Sequence, residues 1–213
     1  AVWYLLITPP VYTRTASILV KDDSKGKSTS DAMESFADFG MFTSNTNVNN
    51  EMGTLQSPDL MREVVTRLHL QMNYYTPGGF HRQTVYGDQL PVDVSVIDLP
   101  DNEPASFTLR LAKDGIITLF DFERNGEDVN SKIPVRGGLN DTIQSPIGKI
   151  VVMSATSYTE GEEQLVQVSH SPLQAIVSSY SSNLIVSQSD EKSNIITLSF
   201  RDVSTQRAED VLN

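Results

Sequence analysis

Lys25-Gly26-Lys27-Ser28 comes nearest to a familiar chemistry, the tail of a phosphate-binding loop. That loop needs a glycine five positions before its Gly-Lys pair so that backbone N–H groups can cradle a phosphate, and the position is Lys21. A polar loop is the simpler reading. Gly78-Gly79 and Gly137-Gly138 lack a third glycine and a strand-to-helix setting, so they read as turns. His69, His81 and His170 stand far apart with no second ligand at metal spacing, and no zinc or iron site can be composed from them. His69, near the end of a helical pattern, reads as a favourable C-terminal cation or a solvated side chain. The acidic pairs Asp22-Asp23, Glu162-Glu163 and Asp190-Glu191 fall at turns or strand ends, whereas acid–base catalysis needs carboxylates that converge in space. No serine sits in a Gly-x-Ser-x-Gly setting, and no Ser, His and Asp set has positional support. The expectation is therefore no catalytic, cofactor-binding or metal-ligating residue, and no enzyme. A hydrolase would require a carboxylate pair brought together by the sheet.

Bulk properties narrow the partners. With 27 Asp and Glu against 16 Lys and Arg the net charge is -11, which repels a phosphate backbone and argues against nucleic acid. The absence of cysteine excludes disulfides, thiolate zinc sites and a Cys nucleophile. At 213 residues and 38% hydrophobic content the chain can bury a real core. There is no initiator Met, so the sequence reads as a piece of something longer. Ala1 to Ile7 are all apolar or aromatic, but no Lys or Arg precedes Arg14, which makes a secretory signal a poor reading. A membrane helix needs about 20 apolar residues, and Pro9-Pro10 stops this run. Composition leaves two readings open, the outer end of a span with Trp3 and Tyr4 at the interface, or a buried first strand.

The remaining pattern supplies elements. Val11 to Asp23 alternates as a strand, with Tyr12, Arg14, Ala16, Ile18 and Val20 opposing Thr13, Thr15, Ser17 and Leu19. Ser24 to Asn50 reads as a long polar loop carrying a short helix. Val48, Met52 and Leu55 fall at helical spacing, and Ser57-Pro58 then caps a helix with the apolar stripe Leu60, Met61, Val64, Val65 and Leu68. Asn73 to Gly79 reads as the loop that ends it. Strand patterns follow at Pro91 to Asp98, Phe107 to Ala112, Ile116 to Phe122, Ile133 to Val135 and Lys149 to Ala155, with turns at Lys113-Asp114-Gly115, Asn125-Gly126 and Gln144 to Gly148. Ser171-Pro172 repeats the helix-start device ahead of Leu173, Ile176, Val177 and Tyr180. Leu184 to Ser189 and Ile195 to Arg201 form a hairpin, and Ser204 caps a last helix bearing Ala208, Val211 and Leu212.

Three blocks of this sequence together resemble one family. Pro10 to Val20, with Tyr12 and Ala16, is similar to the strand that follows the first membrane span of the polysaccharide chain-length determinant (Wzz) domain. Asn50 to Leu70, with Leu55, Ser57, Leu60, Val64, Val65 and Leu68, resembles that family's helix. Leu184 to Asn213, with Asp202, Ala208, Leu212 and Asn213, resembles its closing hairpin and the start of a long helix. The intervening sheet looks like that of larger members, in which the external domain is fused to a cytoplasmic bacterial tyrosine kinase.

The resemblance implies an α+β fold, a mixed or antiparallel sheet packed with a few helices, with an additional mostly antiparallel β region in the middle. Residues 1–10 become the outer end of a first span and its break. Residues 11–90 form the first part of the Wzz-like domain, 91–165 an inserted β-rich region, and 166–213 the return to that domain with a truncated helix. The implied function is the extracytoplasmic part of an inner-membrane polysaccharide co-polymerase, on the periplasmic face, regulating the length and export of capsular or exopolysaccharide chains. Implied partners are further copies in a ring, a polysaccharide polymerase, outer-membrane export machinery, glycan, and the membrane through flanking spans. No cofactor is implied for these residues, because the kinase parts lie beyond a second span. A secreted β-rich glycan-binding or adhesin module is the alternative.

Overall fold

A computed structural model describes residues 9–20, 44–77, 82–130, 134–190 and 193–213. The expectations for Ala1 to Ile7, Asp22-Asp23, Lys25 to Ser28, Gly78-Gly79, His81 and Glu191 lie outside the described residues. Among the described residues four α-helices and thirteen strands make an α+β fold, and the strands pair antiparallel. Among the described residues no helix is long and apolar enough to cross a membrane.

The two ends of the chain build one unit. Strand β1 (Tyr12–Leu19) pairs along its whole length with β13 (Ile195–Asp202), which also pairs with β12 (Leu184–Gln188). Directly opposed residues share a face, so Ala16 and Ile18 of β1 stand beside Leu198 and Ile196. Leu184 and Val186 of β12 join them opposite Phe200 and Leu198. Four helices contribute to this side: α1 (Ser44–Leu55), α2 (Pro58–Arg67), α3 (Leu173–Asn183) and α4 (Thr205–Leu212). One core joins Met61, Val65, Val177, Tyr180, Phe200 and Ala208, and a second joins Val48, Val186, Ile196 and Leu198. The opposite face is solvent-exposed and mixed, carrying Thr13, Thr15 and Ser17 together with the apolar Leu19, Ile185 and Ile195.

Helix α2 shows how local sequence sets these elements. Ser57 adopts an extended conformation and its hydroxyl accepts a hydrogen bond from the Asp59 N–H, while Pro58 supplies the first helical residue. The helix ends where the Leu70 N–H reaches back to the Val65 carbonyl and the His69 N–H to that of Thr66. That pair of bonds places His69 at φ 53°, a left-handed position usually filled by glycine. Leu70 is consequently turned into the core beside Val65. His69 thus ends the helix as an exposed side chain at a left-handed position, in keeping with the solvated alternative.

The expected second helix start is built differently. Pro172 occupies the cap position of α3 with no side-chain cap hydrogen bond, so Ser171 does not repeat the role of Ser57. The carbonyl of Pro172 accepts the Ala175 and Ile176 N–H groups instead.

Residues 72–170 form a β unit of two sheets. The larger runs β3 (Gln83–Val85), β2 (Met72–Thr76), β11 (Gln164–His170), β5 (Ala105–Leu111), β6 (Ile117–Arg124) and β7 (Glu127–Asp128), with β8 (Val135–Gly137) also on β6. The smaller runs β4 (Val92–Ile97), β10 (Gly148–Ser154) and β9 (Thr142–Ser145). Their shared core takes Phe107, Leu109, Leu119 and Val166 from one sheet and Val94, Ile143, Ile150 and Val152 from the other.

Tyr74 ties the two sheets. Its hydroxyl accepts from the Val94 N–H at 3.0 Å and donates to Asp93 at 3.1 Å. Burial pushes this hydroxyl's pKa upward, the Val94 bond opposes that, and the Asp93 charge and hydrogen bond add to it.

Three local expectations are corrected here. Asn73 to Thr76 is strand and not loop, because Tyr74 and Tyr75 pair with Val168 and Gln167 across the sheet. Gly137 lies within β8 and not in a turn. A Cβ on it would stand 2.5 Å from Ile143 Cγ1, so glycine is needed for close approach of the layers. Thr142 to Ser145 is a strand paired with β10, so Gln144 and Ser145, expected in a turn, lie in the sheet.

In β6 a bulge opposite Phe107 resets the alternation. Thr108 pairs with Phe120 but Ser106 with Glu123, leaving Asp121 and Phe122 against a single residue. Asp121 takes φ 54°, which aspartate tolerates better than most residues. The charged side chain is exposed, and Phe122 turns into the core to stack on Phe107 at 5.7 Å.

Candidate functional site

The residues singled out as a family signature converge unevenly. Leu60, Val64 and Leu68 lie along the partly exposed flank of α2, while Met61 and Val65 point into the core. Leu55 at the end of α1 and Leu212 and Asn213 at the end of α4 complete an apolar groove of about 600 Å³ with these three. Its rim carries Glu63, Arg67 and Asp210, and Ile18 of β1 forms part of its wall. Beneath it, Val65 and Ala208 are fully buried. Ser57 caps α2. Ala16 packs against the second core. Pro10 and Tyr12 stand apart, in a separate polar cleft with Ser204.

Asp202 leads to the strongest electrostatic feature. Successive inward positions on β13 are Ile196, Leu198, Phe200 and Asp202, so the strand's phase forces this carboxylate inside. Its partner is Arg207 on the first turns of α4, with Nε 2.9 Å from Oδ2 and Nη2 2.8 Å from Oδ1. The two side chains are 6% and 10% exposed. Ser204 N–H donates to the same carboxylate at 2.7 Å, and its hydroxyl accepts from the Arg207 N–H to cap the helix.

The same guanidinium donates to Asn73 Oδ1 at 3.3 Å and lies 5.8 Å from the Tyr86 ring centroid, so it joins the terminal unit to the β unit. Burial alone would lower its pKa. The hydrogen bonds to Asp202 and the charges nearby outweigh that, and the net direction is upward. Burial, then the charge and hydrogen bond of Asp210, push the Tyr86 hydroxyl upward.

Sequence reasoning missed Arg207. The available signal was an acid on the buried phase of a strand, which demands a cation close by, and an arginine on the inner side of the capped helix that follows. The helix face that carries Tyr180 turns its ring, and with it its hydroxyl, inward. That hydroxyl is buried with no hydrogen-bond partner among the described residues. Burial raises its pKa to about 12, Arg207 opposes this, and Asp202 and Tyr75 add to it.

A tyrosine whose folded pKa exceeds its ordinary value of 10 contributes stability that is intact below pH 10 and lost as pH rises toward about 12. Denaturation at increasing pH is therefore expected to show a fall in stability above pH 10, with Tyr74 acting in the same direction. Tyr180→Phe removes an unsatisfied buried oxygen, so it is expected to raise stability at neutral pH by about 1 kcal/mol. It should also make the alkaline decline shallower. A loss of stability in this variant would mean that the hydroxyl has a partner.

The other candidates for chemistry remain dispersed. His170 is held by two partners, the Glu103 carbonyl at 2.9 Å from Nδ1 and the Gln71 amide at 3.2 Å from Nε2, a pattern that requires the proton on Nδ1. Glu163 stands at the entry to β11 in an exposed pair with Arg110, and Asp190 follows β12 on a different sheet. Among the described residues no three His, Asp or Glu side chains gather to hold a metal. What the described surfaces offer is a groove for apolar contact and a polar cleft for hydrogen bonding. No family model matches the chain, and no curated protein matches it.

Proposed function

We propose that this chain is the extracytoplasmic domain of a polysaccharide co-polymerase of the chain-length determinant type, acting on glycan assembly through binding and without catalysis. The observation that carries the reading is the closure of residues 10–20, 50–70 and 184–213 into one unit. These are the stretches that resemble the family, and they share two contiguous cores although the β unit separates them in sequence. Leu55, Leu60, Val64, Leu68, Leu212 and Asn213 come to one groove as well, so residues chosen for resemblance prove to be neighbours in space.

In the parent protein the domain is proposed to face the periplasm beside the inner membrane and to work in a ring of copies alongside a polymerase and an export channel. Deleting the parent gene is the test. The expected result is a changed amount and length distribution of surface polysaccharide, restored by the intact gene. An unchanged distribution would count against the reading.

The second reading, a secreted glycan-binding module, draws support from the polar cleft at Tyr12. It predicts glycan binding with no effect of gene deletion on polysaccharide length.

A further inference from the structure

The cleft that holds Pro10 and Tyr12 lies where the terminal unit meets the β unit. It has a volume of about 300 Å³, the lower end of the range for small-ligand sites. One wall is Tyr12 with Ser204 to Gln206, and the other is Arg82, Gln83, Thr84, Tyr86 and Gln89. Three features distinguish it from an ordinary surface depression.

The first is charge. None of its described lining residues is acidic in a chain of net charge -11, and it contains Arg82, which has no carboxylate partner among the described residues. The second is the concentration of planar amides, Gln83, Gln89 and Gln206, each offering a donor and an acceptor in fixed geometry. The third is preorganisation. Gln206 Oε1 accepts from the Asp88 N–H at 3.2 Å, and the amide lies so close to Gly87, at φ 58°, that a Cβ there would collide with it.

We infer that this cleft binds an acidic saccharide unit, a uronate within an oligosaccharide. Arg82 receives the carboxylate through its two parallel N–H groups. The glutamine amides and the hydroxyls of Thr84 and Thr205 exchange hydrogen bonds with ring hydroxyls, and the half-exposed Tyr12 and the adjacent Pro10 lie against the apolar face of the sugar. The chain's overall negative charge opposes a polyanion, so the affinity is modest, on the order of 1 mM. The choice of a saccharide rests on the proposed role in glycan assembly, whereas the choice of an acidic one rests on Arg82 and the missing carboxylates.

The test is an NMR titration of the 213-residue chain with trigalacturonate, with maltotriose as the neutral comparison. Saturable shifts of the Gln83, Thr84 and Gln206 amides with trigalacturonate are expected, weakening as salt rises. Arg82→Ala is expected to lower the affinity about tenfold with the fold intact, and Tyr12→Ala to weaken both saccharides. No saturable shift with trigalacturonate, equal binding of maltotriose, or binding unaffected by Arg82→Ala would each overturn the inference. A failed titration together with altered polysaccharide length on gene deletion would remove the cleft's role and leave the proposed function standing.

Discussion

Replacing Arg207 with methionine is expected to lower the unfolding free energy by about 3–5 kcal/mol, read as a fall in Tm on the order of 10 °C for a chain of this size. The reason is not the loss of attraction alone. Asp202 would stay at 8% exposure with two of its three donors gone, because β13 cannot rotate that residue outward without also turning out Phe200 and Leu198. Burying a carboxylate without its cation costs several kcal/mol, whereas removing both charges together is often neutral.

A second variant separates these terms. Asp202→Leu combined with Arg207→Met is expected to recover most of the loss, as measured by urea denaturation of both proteins. Equal destabilisation by the single and double variants would show that the guanidinium acts mainly through Asn73 and Tyr86.

Phe122→Ala is expected to cost about 3–5 kcal/mol, while Phe120→Ala costs less than about 1 kcal/mol. Strict alternation from Leu119 would make Asp121 the next inward residue and leave Phe122 outside. The bulge exchanges them, so Phe122 is 1% exposed and Phe120 sits outside the core with Arg110 at 5.6 Å from its ring. Comparable losses at the two positions would mean that the strand's phase is not the one described.

Sequence patterns went furthest where a local device acts alone. Ser57-Pro58 fixes the start of α2, and Gly115 at φ 79° closes the β5–β6 hairpin, because cap and turn geometry depend on a few adjacent residues. The alternation of Tyr12, Arg14, Ala16 and Ile18 against Thr13, Thr15 and Ser17 likewise separated the two sides of β1, and pairing shows that the first side meets Phe200, Leu198 and Ile196. Tyr74 and Tyr75 were lost to the loop reading because Pro77-Gly78-Gly79 dominates the local signal, while the pairing that makes them a strand comes from Gln167 and Val168, far along the chain. The bulge at Asp121 was hidden for a similar reason, since an extra residue is defined only against its partner strand. The groove was legible as separate apolar stripes, but the Asp202–Arg207 fork was not. A buried charge pair is decided by the phase of one element and the tilt of another.

The pairing of β1 with β13 also governs the order in which the molecule can be built. Leu19 must find Ile195, so this contact closes a loop of most of the chain, and such distant closure is slow compared with local hairpins. The β5–β6 and β9–β10 hairpins, and then the two sheets around Phe107 and Ile150, can assemble as soon as residue 170 has emerged from the ribosome. Until β13 has been made, β1 lacks the strand it pairs with and its backbone is a free edge. During synthesis β1 therefore waits through the whole of the β unit for β13, the strand it joins.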